Sequence, residues 1–223
     1  MKKITVINCI SFIVFISGFG VFSKEAYSQT CDEGELTFYF PTYDEKNVKP
    51  CTDSTGWVML GIPPDRPNDS LSVSYNKWFS KYLCRMGEPV IFNGISNVKN
   101  VVRFSHFGSW SSPYSCRIEQ KNSNVYISYN QTRGDGNLGD RDIEIGTKKI
   151  NIKKWNLVVE KMESIDFWKM ETHDKNLILD GAEWVFEALI DGQYHFVMRN
   201  SPDVYDDKEY AELCNLLIQI YVQ

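Results

Sequence analysis

The chain has 223 residues, 43% hydrophobic, 14% aromatic and 24% charged, with a net charge of -5. That is globular composition and excludes a disordered or collagen-like chain. At roughly 100–200 residues per domain it suits one large domain, and the acidic balance argues against a nucleic-acid binder.

The first 28 residues read as a secretory leader. Lys2 and Lys3 form a basic start, Ile10 to Phe22 an apolar stretch, and Ala26-Tyr27-Ser28 a small-x-small cleavage site. The apolar stretch is short of the ~20 residues a spanning helix needs. The pattern therefore predicts cleavage after Ser28 and a periplasmic or secreted protein with no transmembrane segment. Cys31 follows Gln29-Thr30, not the small residue that lipidation needs. Cleavage removes Lys2, Lys3, Lys24 and Glu25, leaving 195 residues with 21 basic and 28 acidic side chains, a charge of -7.

Five cysteines remain: Cys31, Cys51, Cys84, Cys116 and Cys214. An oxidising compartment favours disulfides. Cys31 and Cys51 flank a loop-rich stretch containing Pro41 and Pro50, so this pair is expected to bond. No C-x-x-C spacing exists, so no metal site is expected.

Residues 29–70 look irregular, with short strands at Glu35–Phe40 and Trp57–Leu60 and a proline-rich loop over 61–70. From 71 to 223 a single α+β domain is expected: an antiparallel sheet of hairpins with three amphipathic helices. Tyr75, Trp78, Phe79, Tyr82, Leu83 and Met86 make the stripe of a helix over 74–86, capped by Ser72 or Ser74 and ended by Gly87. Period-two segments at Val101–Phe107, Ser115–Lys121, Val125–Thr132 and Asp142–Ile150 read as strands, the middle two forming a hairpin. Between them the glycine-rich Arg133–Asp140 lacks calcium-loop spacing and reads as a connector. Trp155, Val158, Val159, Met162 and Ile165 mark a second helix over 152–165, with Asn151 as its cap. Phe167 and Trp168 are expected beneath its end.

Asp191-Gly192 is a strong hairpin turn between Trp184–Ile190 and Gln193–Arg199. A two-residue turn places Ala188 opposite His195, Phe186 opposite Val197, Glu187 opposite Phe196 and Trp184 opposite Arg199. Both faces are apolar, so the hairpin is expected at the centre of the sheet, covered on both sides. Tyr210, Leu213, Cys214, Leu217, Ile218 and Tyr221 mark a last helix over 206–221.

Two stretches resemble a known group. Asn76-Lys77-Trp78-Phe79-Ser80-Lys81-Tyr82-Leu83 with Glu88-Pro89 is the first. Asp180-Gly181-Ala182-Glu183-Trp184, followed by Gly192-Gln193-Tyr194-His195, Arg199 and Ser201-Pro202, is the second. Together they resemble a group of exported bacterial proteins, widespread among Gram-negative species, to which no activity is attached. The resemblance runs from about residue 70 to the C-terminus. It implies a similar fold and export, and it transfers no catalytic residue.

The sequence has no H-E-x-x-H, G-x-S-x-G, P-loop or dinucleotide fingerprint, so no cofactor is expected. The best catalytic candidates are Asp180, Glu187, His195 and Arg199, polar groups on or beside the apolar hairpin. They are the residues an envelope hydrolase would use, because burial shifts pKa values at sites. In the hairpin register Glu187 and His195 point to opposite faces and cannot form a dyad. Arg199 is expected over Trp184 as a cation–π or cross-strand pair, and His195 as a core histidine bonded to a backbone carbonyl. The expectation is therefore a binding module without catalysis, such as a periplasmic immunity or inhibitor protein. Its acidity suits a basic protein partner in the envelope.

Overall fold

The computed structural model describes residues 31, 37–43, 51–52, 58–59, 66–132, 143–174, 181–205 and 207–223, with backbone alone at 51–52, 58–59 and 143–145. In chain order the elements are β1 (Thr42–Tyr43), β2 (Cys51–Thr52), β3 (Val58–Met59), β4 (Leu71–Ser72), α1 (Val73–Arg85), β5 (Val98–Gly108), β6 (Tyr114–Lys121), β7 (Asn124–Thr132), β8 (Ile143–Ile150), α2 (Ile152–Ser164), a 3-10 turn (Phe167–Lys169), β9 (Ala182–Ile190), β10 (Gln193–Asn200) and α3 (Lys208–Val222). This is an α+β fold. Six strands form one antiparallel sheet in the order β10-β9-β5-β6-β7-β8, while β2 pairs with β3 and β1 lies parallel to β4.

The sheet is covered on both faces. On one face α2 and α3 bury Trp155, Val158, Met162, Leu213 and Leu217 against Val102, Phe104, Ile118, Ile127, Phe186 and Val197. On the other, α1 buries Phe79, Leu83 and Met86 against Phe107, Val185, Phe196 and Met198. The caps read from sequence close the helices: Ser72 accepts from Tyr75 N and Asn151 from Lys153 N. Gly87, at φ 65°, takes the left-handed conformation that ends α1. Phe167 is buried under α2, edge-on to Phe186.

The β9–β10 register is the expected one, His195 opposite Ala188 and Phe196 opposite Glu187. Its position in the sheet is not. The hairpin occupies one end, with β9 against β5 and β10 at the edge. An edge strand normally leaves alternate N–H groups unpaired. Here Phe196, Met198 and Asn200 donate to Asp69 Oδ1, Thr172 O and Asp174 Oδ2. Loops thus complete the edge, so β10 can be apolar on both faces without being central.

The segment 37–43 is part of the packed structure rather than an appendage. It runs along α1 from its last turn back to its first. Tyr39 N donates to Ser80 Oγ, Asn76 Nδ2 donates to the Phe40 carbonyl and to Thr42 Oγ1, and Tyr43 lies opposite Ser72. Phe40 is fully buried between Phe79 and Phe196. Residues 37–40 are not a strand, and 32–36 lie outside the described residues, as does the loop 133–140.

This path corrects the disulfide. Cys31 bonds Cys84, not Cys51. The loop-rich, proline-containing stretch between them favoured Cys51, but the packing of Tyr39 and Phe40 along α1 brings Cys31 back to the helix's last turn. Cys116 is buried as expected, and Cys214 is buried on the inner side of α3. Both are free thiols. Digestion without reduction should yield the Cys31 peptide linked to the Cys84 peptide. A Cys31–Cys51 linkage would contradict the path of the segment.

Candidate functional site

The four residues singled out by sequence do not converge. Asp180 lies outside the described residues. Glu187 is buried on the α1 face, where its Oε2 accepts from Arg103 Nε at 3.0 Å and from the terminal Arg103 Nη2 at 2.5 Å. His195 is on the opposite face. Its Nδ1 lies 2.6 Å from Asp69 Oδ1, not on a backbone carbonyl, and its ring stands edge-on to Phe167. Asp69 reaches it from a left-handed backbone, φ 54°, which aims the carboxylate at both His195 and Phe196 N. Arg199 lies over Tyr210, not Trp184, with its guanidinium carbon 5.8 Å from the ring centroid. It also donates to Asp207 Oδ2 and to the Glu171 carbonyl. The long side chain reaches past its cross-strand neighbour to α3.

The densest polar cluster is one the sequence reading missed. Arg103, in mid-β5, is completely buried between two glutamates. Besides Glu187 it approaches Glu88 Oε2 at 3.4 Å and donates to the Pro89 carbonyl at 2.8 Å. Glu88 also accepts from Arg117 Nε at 2.9 Å, Ser115 Oγ at 2.9 Å and Asn130 Nδ2. Arg117 continues the chain of charges to Glu119. Burial alone would raise the Glu88 carboxyl, but Arg117, Arg103, Ser115 and Asn130 outweigh it and hold it below the usual carboxylate range. Burial pushes Glu187 up against the pull of Arg103. The signal was present in the sequence. An arginine within Val101-Val102-Arg103-Phe104 on a two-sided buried strand needs a buried counter-charge.

A second cluster closes the base of the hairpin. Asn200 Nδ2 donates to Glu183 Oε1 at 3.1 Å, Asn200 N donates to Asp174 Oδ2, and Ser201 Oγ accepts from Ala182 N. Gly181 is needed here, since a Cβ would fall 1.9 Å from Asn200 Oδ1 and 2.7 Å from Ser201 Oγ. Gly181-Ala182 and Ser201-Pro202 are thus the two sides of one joint. Burial, reinforced by Asp174 and opposed by Asn200, raises Glu183 to about 7. His173 shifts the other way, to about 4, through burial with Arg66 and Arg199 adding.

The same end of the sheet carries the most exposed aromatic side chain among the described residues. Ser109 N and Ser201 N donate to the adjacent carbonyls of Gly181 and Ala182, so the loops 109–113 and 201–205 emerge at the same end of the sheet, on either side of the start of β9. From them project Trp110 (88% exposed), Val204 (68%) and Tyr205 (51%). Beneath them His106 stacks on Tyr114 and feels the Asp203 carboxylate.

Among the described residues no three His, Cys, Asp or Glu side chains converge as metal ligands, and no helix is long and apolar enough to cross a membrane. No family model, curated protein or solved structure matches this chain.

Removing Arg103 strands the buried Glu187 carboxylate and takes one of two cations from Glu88. Arg103→Met should therefore lower stability by about 3–5 kcal/mol, and adding Glu187→Leu should restore part of the loss. Urea denaturation of both variants checks this, and a single variant as stable as the parent would refute it. Glu183 gives a pH test. A carboxyl raised in the folded state contributes stability that is full below about 4.5 and lost as pH rises through 7. Glu183→Gln should therefore gain on the parent between pH 4.5 and 7, by an amount on the order of 3 kcal/mol. A pH-independent difference would contradict the shift. His173 has the opposite sign: its contribution is full above about 6.5 and is lost as pH falls towards 4.

Proposed function

We propose that this chain is an exported, non-catalytic binding module, of the kind that neutralises a toxin or inhibits an enzyme in the periplasm, and that its partner is a basic protein. The observation that carries this reading is the internal pairing of the described candidate catalytic groups. Glu187 is committed to Arg103, His195 to Asp69 and Arg199 to Asp207 and the Glu171 carbonyl. A general base must reach a substrate proton within hydrogen-bond distance, and a fully buried Glu187 presents no such reach. Export is supported by the leader-like first 28 residues, by the Cys31–Cys84 disulfide and by the resemblance to exported bacterial proteins. The basic partner follows from the charge of -7 left after leader removal.

On this reading His195→Ala is a stability variant. It takes the imidazole from the Asp69 carboxylate, which keeps its bond from Phe196 N, and should cost about 1–3 kcal/mol. The test is to assay the purified protein against peptidoglycan, peptide and ester substrates. The expected result is no turnover. Turnover that disappears in His195→Ala or Glu187→Gln, with the melting temperature unchanged, would replace this reading with an envelope hydrolase.

A further inference from the structure

We infer that the end of the sheet bearing Trp110, Val204 and Tyr205 is the docking surface, and that its occupant is a cationic surface of another protein. The inference rests on the binding-module reading and names where that binding takes place.

Three side chains of this kind, left in water on neighbouring loops, are unlike the rest of this sheet. Every other tryptophan among the described residues, Trp78, Trp155, Trp168 and Trp184, belongs to or packs against a core cluster. Trp110 does not, although its loop is well tied. Ser109 is held to the Gly181 carbonyl by both its backbone N–H and its hydroxyl, and Ser111 folds back over Gly108. The neighbouring loop is held by Val204 N and Tyr205 N, both donating to the Ser201 carbonyl. An aromatic anchor on a braced loop loses little conformational entropy on binding, and tryptophan and tyrosine dominate the energetic centres of interfaces.

Charge selects the occupant. Val204 and Tyr205 stand in sequence between Asp203 and the acidic start of α3, where Asp203 and Glu209 are exposed and Asp207 pairs with Arg199. Lys208 is the one exposed cation of this stretch among the described residues, and the 109–112 loop carries no charge. A second copy of the chain, docked two-fold on this patch, would set Asp203 and Glu209 against themselves. An anionic bilayer would be repelled by the same carboxylates. Lysine or arginine side chains satisfy both elements at once, lying over the Trp110 and Tyr205 rings while pairing with the carboxylates.

The experiment places the photo-crosslinking residue p-benzoylphenylalanine at positions 110 and 204 of the full chain in its host. Controls are position 99, beside the Asp191 turn at the opposite end of the sheet, and position 157 on the outer side of α2. The expected result is an adduct at 110 and 204, but not at the controls, to one identified protein with more basic than acidic residues. With that protein purified, Trp110→Ala should weaken binding at least tenfold without moving the melting temperature. Asp203→Lys should flatten the salt dependence. Adducts at 99 or 157 alone would overturn the docking surface and leave the binding reading standing. No adduct at any position would overturn both. An adduct to a second copy of this chain would overturn the cationic occupant.

Discussion

A single guanidinium, Arg103, is the constraint on which the α1 side of the molecule depends. It sits fully buried in the middle of the longest described strand and ties β5 to two other pieces of chain: Glu187 on β9, and the segment just after α1 through the Glu88 carboxylate and the Pro89 carbonyl. A buried charge of this kind is costly unless every donor is matched. Once it is matched, few alternative packings remain, because any shift of α1 or of the β9–β10 hairpin strands a charge. Arg117, Ser115 and Asn130 extend the lattice to β6 and β7 through Glu88. The Tyr39 ring stands 5.8 Å from the guanidinium carbon, and the apolar cluster of Phe79, Phe107 and Phe196 lies on the same face of the sheet.

The opposite face is organised by ordinary apolar packing of α2 and α3. The contrast explains how one sheet can be buried on both sides while remaining open at β10. Three donors on that edge go to Asp69, Thr172 and Asp174, so segments distant in sequence do the work of a seventh strand. The same Asp69 carboxylate that closes the edge also holds His195. The resulting Asp–His pair therefore belongs to the edge of the sheet, with Phe167 beside it, rather than to an open cleft.

Much of this architecture was legible in the sequence, because local periodicity and turn chemistry agree with the final packing. The stripes of α1, α2 and α3, the Ser72 and Asn151 caps, and the Asp191-Gly192 register all follow from short-range patterns. What was not legible depended on long-range closure. The sequence could not tell that β5 inserts beside β9 and displaces the hairpin to the edge. It could not place Tyr39 and Phe40 along α1, and hence it paired Cys31 with the nearer Cys51 rather than with Cys84. The opposite facing of Glu187 and His195 was readable from parity alone. Their partners Arg103 and Asp69, respectively 84 and 126 residues away, were not.

Glu187, His195 and Arg199 are paired within the fold, and the braced, acidic, aromatic end of the sheet is left as the proposed place of recognition. This arrangement rests on Arg103 being locked between its carboxylates in the folded protein. The direct test is the hydrogen-exchange rate of the Arg103 Nε–H, followed by NMR on selectively labelled protein. The account predicts exchange that is retarded to the rate of global unfolding, with Glu187→Gln accelerating it. Exchange as fast as that of a solvent-exposed arginine would contradict the buried network and the reading built on it.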